Sequence, residues 1–180
     1  HIDNLNLTID NLFVWAHNQI NSNTLNPTNL PLNSAIARVK PLYELVAKQK
    51  EVTLVNLAKE PIVVRADGSH LELVLRNLIS NALKFSNKGG RVEISSKILE
   101  NKMVEVAIAD NGVGISQENI NRIFDTKTHY TTYGTSNEKG TGLGLRLCKE
   151  YVEFNGGTIL MQSELGKGTT VKFILPMPKL

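Results

Sequence analysis

The sequence predicts an α+β protein: a two-layer α/β sandwich in which a mixed, mostly antiparallel sheet of about five strands packs on about three helices, preceded by an N-terminal helix. Two observations predict this class. Stretches in which apolar and polar residues alternate recur along the chain, and four of them read as two hairpins. Between them lie segments with helical periodicity. Because a sheet and an amphipathic helix each carry one apolar face, the stable arrangement packs one on the other.

Composition narrows the class of protein. The chain has 180 residues, of which 41% are hydrophobic and 21% are charged, so a disordered chain is excluded. Its net charge of +3 is too small to favour nucleic acid as a partner. The single cysteine, Cys148, excludes an internal disulfide and fits a reducing compartment. We therefore expect a cytoplasmic location.

The chain shows no sign of a membrane or export segment. No apolar run approaches the roughly 20 residues of a membrane-spanning helix, and no signal peptide is visible. The first residue is His1 rather than Met, so we expect the chain to be a piece of a longer protein. Whether that parent protein is anchored in the inner membrane stays open.

Residues 1–21 are predicted to form the N-terminal helix. Positions spaced by three and four form a short coiled-coil seam: Ile2, Leu5, Ile9, Leu12, Ala16 and Gln19. A helix packed on its own domain is the alternative. The Asn-rich stretch that follows contains two prolines and predicts a linker over residues 22–33. The main domain then covers residues 34–180.

The elements of the main domain follow in order. Asn33 is a candidate N-cap for a helix over residues 34–50, which Pro41 should either kink or begin. Alternating runs at 51–58 and 62–66 predict strands. The remaining predicted elements are a helix at 67–86 capped by Asp67 or Ser69, a hairpin at 91–110, a loop-rich region at 111–142, a helix up to residue 154 and a hairpin at 158–176.

The predicted helix at 67–86 carries Asn77, Asn81 and Lys84. At about 100° per residue, these side chains form one polar stripe along the edge of the apolar face. An asparagine carbonyl is a hard oxygen ligand suited to Mg²⁺, and a lysine one turn on can meet a phosphate. Taken alone, N-x-x-x-N is more often an ordinary solvated face.

The loop "DNGVGIS" is a candidate ligand wall. It begins with Asp110 at a strand end, where the carboxylate can accept a hydrogen bond from an exocyclic amine. Gly112 and Gly114 allow close backbone approach and a positive φ. A D-N-G sequence is also a common turn, so this motif is weak on its own.

The loop "GTGLGL" is a candidate anion site. It places Gly140, Gly142 and Gly144 before a helix, and the free N–H groups of a helix N-terminus favour an anion. The loop is not a Walker A motif, because no lysine follows the glycines. It is not a convincing dinucleotide loop either, because G-x-G-x-x-G does not fit these positions.

The order and spacing of the three motifs resemble the ATP-binding domain of sensor histidine kinases, within the superfamily of gyrase, heat-shock chaperone and mismatch-repair ATPases. "DGSHLELVLRNLISNALKFSNKGG" resembles the family's N box and "SELGKGTTVKFILP" its closing strand pair. "RIFD" resembles its F box, with Phe124 as the motif residue. The resemblance covers about residues 51–178, and the motifs are specific as an ordered set.

The resemblance implies roles for the matching residues. Asn81, with Asn77 beside it, would hold Mg²⁺, and Lys84 would reach the phosphates of ATP. Asp110 would bind the adenine amino group, and Gly112 and Gly114 would shape that wall. These are the candidates at the two ends of the implied ATP site.

The same resemblance implies the rest of the ATP site. Thr169 would join the adenine end through its hydroxyl or a water, and Phe85 would either flank the base or belong to the core. Residues 125–140 would form a lid over the nucleotide. The other ATP-binding candidates are Phe124 and the glycine loop with the start of its helix: Gly140, Thr141, Gly142, Leu143, Gly144 and Leu145.

The implied activity is transfer of the ATP γ-phosphoryl group to a histidine on a helical hairpin of the same or a partner chain. A homodimeric parent protein would then signal to a response-regulator receiver domain. None of the four histidines lies in the family's acceptor context, so no catalytic residue is assigned. Residues 1–21 resemble the second helix of that hairpin. We therefore expect the acceptor helix to be missing and the fragment not to autophosphorylate alone.

Three alternatives stay open. A hydrolytic ATPase of the superfamily would carry a glutamate at the position of Asn77 as a base for water, and an amide cannot take that proton. A serine kinase that antagonises a sigma factor shares the motifs but normally lacks a preceding hairpin helix. A nucleotide-sensing module without transfer activity would share the binding residues.

Overall fold

The computed structural model describes residues 25–123, 132–138 and 142–179. The predicted helix over residues 1–21 and the site candidates Phe124, Gly140 and Thr141 lie outside these ranges. The helices of the described part are α1 (Leu32–Val39), α2 (Pro41–Gln49), α3 (Gly68–Phe85), α4 (Gln117–Ile123) and α5 (Gly144–Phe154). The strands are β1 (Thr28–Pro31), β2 (Thr53–Asn56), β3 (Val63–Ala66), β4 (Arg91–Ile98), β5 (Met103–Asp110), β6 (Thr158–Glu164) and β7 (Gly168–Pro176).

The main sheet has five strands in the order β2-β4-β5-β7-β6. Only β2 and β4 are parallel, and α3 lies in the crossover that a parallel pair requires. The other neighbours are antiparallel and include the two predicted hairpins, β4–β5 and β6–β7. Strands β1 and β3 form a separate antiparallel pair. The predicted α+β sandwich with a mixed, mostly antiparallel sheet is therefore confirmed.

The core lies between the main sheet and α3. The apolar face of α3 is buried along its whole length, and the alternation in β5 turns Val104 and Val106 inward, where both are fully buried with Phe173 of β7. Burying one such side chain contributes roughly 1.5–3 kcal/mol. This packing fixes the rotation of α3 about its axis and so decides where its polar stripe lies.

The start of α3 follows the predicted capping chemistry. Asp67 is the N-cap, and its Oδ1 accepts hydrogen bonds from the backbone N–H groups of Ser69, at 2.9 Å, and His70, at 3.4 Å. A carboxylate at this position also complements the positive end of the helix dipole. Of the two predicted caps, Asp67 is the one used.

The predicted N-cap at Asn33 is wrong. The helix α1 begins at Leu32, two residues before the predicted start at residue 34, and the Asn33 side-chain amide instead donates to the carbonyl of Lys59 at 3.2 Å. Pro41 is the first residue of a second helix, α2, as one of the two predicted alternatives had it. Proline suits this position because its missing N–H would have no partner in the first turn.

Two segments contain more regular structure than their local patterns indicate. Residues 28–31, inside the predicted linker, form β1, which pairs with β3 across more than thirty residues. The loop-rich region at 111–142 contains the short helix α4, which buries none of its residues. A four-residue strand and a helix without a buried face lack the periodicity on which the prediction depends.

Candidate functional site

The three predicted motifs meet at one place, along the open edge of α3. The loop after β5 contacts the C-terminal end of α3 through a hydrogen bond from Val113 N to the Phe85 carbonyl, at 3.1 Å. The glycine loop contacts the middle of α3, because Gly144 lies against Asn77. The site therefore has one end at the tip of β5 and the other at the N-terminus of α5.

Asn77 and Gly144 form the contact between α3 and α5. Asn77 is buried, with 3% of its surface exposed, and its side-chain Nδ2 donates to the Leu73 carbonyl at 3.1 Å. A Cβ atom on Gly144 would lie 2.8 Å from Asn77 Oδ1. Since real Cβ contacts are longer than this, only glycine lets the first turn of α5 come so close to the amide.

The first turn of α5 has the features of an anion site. Leu143 precedes the helix and provides no side-chain cap, and the first turn contains no acidic residue. Gly142, just before it, has a φ of +70°. Because the first N–H groups of a helix have no partner within the helix itself, this turn is a candidate anion site. Leu145, half-buried, packs against the core instead.

Asn81 lies one turn beyond Asn77 on α3 and is half-buried. Its carboxamide oxygen is the kind of hard donor that Mg²⁺ takes in combination with substrate phosphates. Within the described ranges, no group of three or more His, Cys, Asp and Glu side chains could hold a metal ion by itself. The amide oxygen of Asn81 therefore fits a cation that is bound together with a phosphate ligand.

Lys84 ends the polar stripe, and Phe85 is the last residue of α3. The Lys84 ammonium lies 4.8 Å from the centroid of the Phe85 ring and donates to the Thr132 carbonyl at 3.1 Å. Burial lowers the pKa of Lys84; Glu138 nearby raises it and Lys50 lowers it further. A partly desolvated ammonium of this kind interacts strongly with an anion that reaches it.

Asp110 is the acidic group at the other end of the site. Its Oδ1 accepts hydrogen bonds from the backbone N–H groups of Gly112, at 2.9 Å, and Thr169, at 3.3 Å. Burial raises the pKa of Asp110, and these two hydrogen bonds oppose the rise. The carboxylate is held by one oxygen, which fixes the direction of the whole group.

Gly112 and Gly114 let the loop after β5 run against neighbouring backbone. A Cβ on Gly112 would lie 2.1 Å from the Phe85 carbonyl oxygen, and one on Gly114 would lie 2.0 Å from that of Glu164. Gly114 also has a φ of +67°, which is costly for residues with a side chain. The predicted close approach holds at both glycines, and the predicted positive φ holds at Gly114.

Ser163 belongs to the candidate site but is not predicted from the sequence. Its Oγ accepts from Ile115 N and donates to the Gly168 carbonyl, each at 2.8 Å, and it lies 2.8 Å from Thr169 Oγ1. Because its one proton goes to Gly168, the Thr169 hydroxyl must be the donor of the third bond. Nothing in the local sequence marks this serine, because Thr169 lies opposite it only once β6 and β7 pair.

Comparison with known proteins identifies the family. Residues 66–179 match the family model described as Histidine kinase-, DNA gyrase B-, and HSP90-like ATPase. The chain belongs to this family. Use of ATP is therefore established at the level of the family, and the predicted resemblance is confirmed.

The proteins similar to this ATPase domain include kinases, among them named histidine kinases. Sporulation kinase D of Bacillus subtilis (strain 168) is 39% identical over 127 residues, which are 71% of this chain and 24% of the relative. The signal transduction histidine-protein kinase ArlS of Staphylococcus epidermidis (strain ATCC 12228 / FDA PCI 1200) is 31% identical over 177 residues, 98% of this chain and 38% of the relative. The chain thus spans well under two thirds of these proteins.

A solved structure agrees with the similarity to these two kinases. The nucleotide-free catalytic domain of histidine kinase ThkA matches with a TM-score of 0.73 and 28% identity, covering 85% of this chain and 99% of that domain. The architecture described above is therefore that of a histidine kinase catalytic domain. In the part of the ATPase domain that the structure describes, no helix is long and apolar enough to cross a membrane.

Proposed function

We propose that this domain binds Mg²⁺-ATP and transfers the γ-phosphoryl group to a histidine on a helical hairpin, as the catalytic part of a two-component sensor histidine kinase. The observation that carries the proposal is the contact between Asn77 and Gly144. It sets the N-terminus of α5 against the amide stripe of α3. An oxygen-donor stripe and a helix N-terminus that face one another suit a metal-bound triphosphate.

The adenine base would lie at the Asp110 end. Oδ1 of Asp110 already accepts two backbone hydrogen bonds, so Oδ2 would accept a hydrogen bond from the exocyclic amine of the base. The hydroxyl of Thr169 would act beside it, oriented by Ser163. Gly112 and Gly114 would form the wall, and the ring of Phe85, half-buried, would flank the base.

The phosphates would lie at the other end. Asn81 would supply its amide oxygen to Mg²⁺ with Asn77 beside it, and Lys84 would neutralise phosphate charge. The backbone of Gly142, Leu143 and Gly144 would hold the terminal phosphates, together with Gly140 and Thr141. A bound Mg²⁺ would offset charge on the phosphate oxygens, which together with positioning is most of the catalysis in phosphoryl transfer.

The site favours transfer over hydrolysis. Asn77 is an amide with its Nδ2 bound to the Leu73 carbonyl, and it cannot accept a proton from water at neutral pH. Lys84, at the end of the same stripe, is a cation and would not act as that base. The nucleophile would therefore come from another segment, which agrees with a histidine on a separate hairpin.

The domain limits and partners belong to the same proposal. Residues 1–21 would be the second helix of the acceptor hairpin and residues 22–33 a connection, of which residues 28–31 already pair with the catalytic domain as β1. The similarity to ArlS, which extends over 98% of the chain, supports this division. The partners would be the acceptor hairpin, a second copy in the parent protein and a response-regulator receiver domain, in the cytoplasm.

Phosphoryl transfer in trans tests the proposal. The purified chain is incubated with ATP labelled at the γ-phosphate, alone and with a separately folded acceptor hairpin. We expect no label on the chain alone, and acid-labile, base-stable label on the hairpin. Label released only as inorganic phosphate would instead favour a hydrolase, and intact ATP in the presence of a folded hairpin would favour a sensing module.

A further inference from the structure

Residues 132–138, inside the predicted lid, fold as a compact turn that we call the 132–138 turn. Gly134 N donates to the Glu138 carbonyl at 2.9 Å, and Asn137 N donates to the Gly134 carbonyl at 3.0 Å. The turn is joined to α3 because Thr135 N donates to the carbonyl of Lys84 at 3.0 Å. This part of the predicted lid is thus bound directly to the helix that carries the phosphate-site residues.

Lys50 holds the turn and the end of α3 together. This lysine follows α2, and its ammonium lies 2.7 Å from Glu138 Oε1 and 3.0 Å from Thr135 Oγ1. It also lies 2.8 Å and 3.0 Å from two carbonyls in the last turn of α3, those of Leu83 and Lys84. A cation suits the negative end of a helix dipole, so one side chain stabilises the helix terminus and the turn at once.

The pair formed by Lys50 and Glu138 is unusually enclosed for an ion pair of this domain. The two side chains are 11% and 20% exposed, whereas those of the neighbouring pair Lys88–Glu51 are 76% and 59% exposed. The second oxygen of Glu138 accepts from Ser136 N at 2.8 Å. Enclosed and doubly bonded charges are far more costly to separate than exposed ones.

The Lys50–Glu138 pair is also close to Lys84. A Cβ on Gly134 would lie 2.4 Å from Glu138 Oε2 and 2.5 Å from Lys84 Cγ, so only a glycine separates the carboxylate from the Lys84 side chain. The ammonium of Lys84 in turn donates to the Thr132 carbonyl at the start of the turn. The turn therefore fixes where Lys84 points, and Lys50 fixes the turn.

We propose that Lys50 is a positioning residue for nucleotide phosphates: by binding Glu138 and the end of α3 it holds the 132–138 turn, and through that turn it places the Lys84 ammonium at the phosphate end of the site. Lys50 also neutralises the charge of Glu138 by pairing with it, so that this carboxylate does not compete with phosphate for Lys84. The inference rests on the proposed function, since it requires a nucleotide beside α3.

The test compares ligands that differ in their phosphates. Amide NMR titrations of the whole chain with Mg²⁺-ATP and with adenosine are measured for the wild type, Lys50→Met and Glu138→Gln. Lys88→Met, which breaks the exposed Lys88–Glu51 pair, is the control. We expect Lys50→Met to weaken Mg²⁺-ATP binding about tenfold, the scale of one charge-assisted contact, and to leave adenosine binding within about twofold. Lys88→Met should change neither.

Coupling to Lys84 separates positioning from general loosening. Lys84→Met alone should weaken Mg²⁺-ATP binding, and adding Lys50→Met to it should cost little more, because both act through the same ammonium. Thermal unfolding shows whether each variant is folded. If Lys50→Met does not fold, Glu138→Gln, which keeps the side-chain shape, replaces it in the comparison.

The outcomes distinguish this inference from the proposed function. Equal losses of ATP and adenosine binding in folded variants, or full additivity with Lys84→Met, would overturn the role of Lys50 while leaving the ATP site intact. A wild-type chain that binds adenosine and Mg²⁺-ATP nowhere near α3 would overturn the proposed function itself.

Discussion

Oδ1 of Asn77 in α3 lies directly against Gly144, the first residue of α5, so that a Cβ on the glycine would be only 2.8 Å from it. The two helices could not approach this closely with any other residue at 144. Asn77 is buried, and its amide is held by the carbonyl of Leu73, so it cannot move aside easily. This contact sets the distance between the amide stripe and the anion-binding end of α5.

The first prediction concerns this contact. Gly144→Ala should force α5 away from α3, lower the free energy of unfolding by about 1–3 kcal/mol, and weaken Mg²⁺-ATP binding. Gly68→Ala is the matched control, because Gly68 is also the first residue of a helix and its Cβ would meet Leu30 at an ordinary 3.8 Å. Chemical denaturation and calorimetry measure both. A Gly144→Ala variant as stable and as tight-binding as the wild type would refute the close contact.

The second prediction concerns adenine recognition. Asp110→Asn keeps an oxygen for the N–H groups of Gly112 and Thr169 but presents an NH₂ group where the base would offer its own amine. We expect ATP affinity to fall about 10- to 100-fold, since two donors would face each other in a partly buried site. Asp67→Asn, at the cap of α3, is the control and should leave affinity unchanged. Unchanged ATP affinity in Asp110→Asn would show that the adenine base does not bind at the Asp110 end of the site.

The third prediction concerns the hydroxyl of Ser163. Ser163→Ala leaves Ile115 N and the Gly168 carbonyl without their partner, which should cost about 1–3 kcal/mol of unfolding free energy. Ser96→Ala is the control, because the buried Ser96 hydroxyl forms no hydrogen bond with any described residue; its removal should be neutral or stabilising. Urea denaturation of the two variants gives the comparison. Equal stability would mean that the Ser163 bonds contribute nothing.

The fourth prediction is a pH dependence that comes from His70. Its Nδ1 lies 3.1 Å from Asn155 Nδ2, and Asn155 Oδ1 is engaged by Asp67 N at 2.7 Å. The amide must therefore donate to Nδ1, so His70 is neutral. Burial lowers its pKa below the ordinary 6.5, although the charge of Asp67 opposes this.

The sign follows from the lowered pKa. Below pH 6.5 the unfolded chain takes up a proton that folded His70 does not, so its contribution to stability is present above that pH and is lost as the pH falls towards the lowered pKa. We expect the melting temperature to drop between pH 7 and pH 5.5 and the drop to be smaller in His70→Gln. Identical pH profiles for the wild type and His70→Gln would contradict this assignment.

The fifth prediction concerns the metal. Asn81→Ala should weaken Mg²⁺-ATP binding about tenfold and leave adenosine binding unchanged. Removing Mg²⁺ with EDTA should cause a similar loss in the wild type but little further loss in Asn81→Ala. Asn87→Ala, at an exposed position just after α3, is the control. If EDTA weakens binding equally in the wild type and Asn81→Ala, the amide of Asn81 is not a metal ligand.

The sequence predicts those features that depend on local chemistry. Asp67 caps α3 because its carboxylate reaches N–H groups two and three residues on, and Gly114 takes a positive φ within its own turn. The hairpins β4–β5 and β6–β7 arise from alternation that can be read along the chain. Each of these depends on neighbours in the sequence.

The rest depends on pairing between distant residues. The Lys50–Glu138 pair joins positions 88 residues apart, and nothing near Lys50 distinguishes it from Lys48 in the sequence. Strand β1 exists only because β3 pairs with it. Ser163 looks like any polar residue in an alternating strand until β7 brings Thr169 beside it. Such partners become visible only once the chain is folded.

The most direct measurement is a crystal structure of this chain with Mg²⁺ and a non-hydrolysable ATP analogue. The account predicts that the adenine amino group lies within hydrogen-bonding distance of Asp110 Oδ2, that Asn81 coordinates Mg²⁺, and that the terminal phosphates lie at the N-terminus of α5 beside Gly144. A nucleotide bound elsewhere, or one whose base and phosphates are reversed between these two ends, would contradict it.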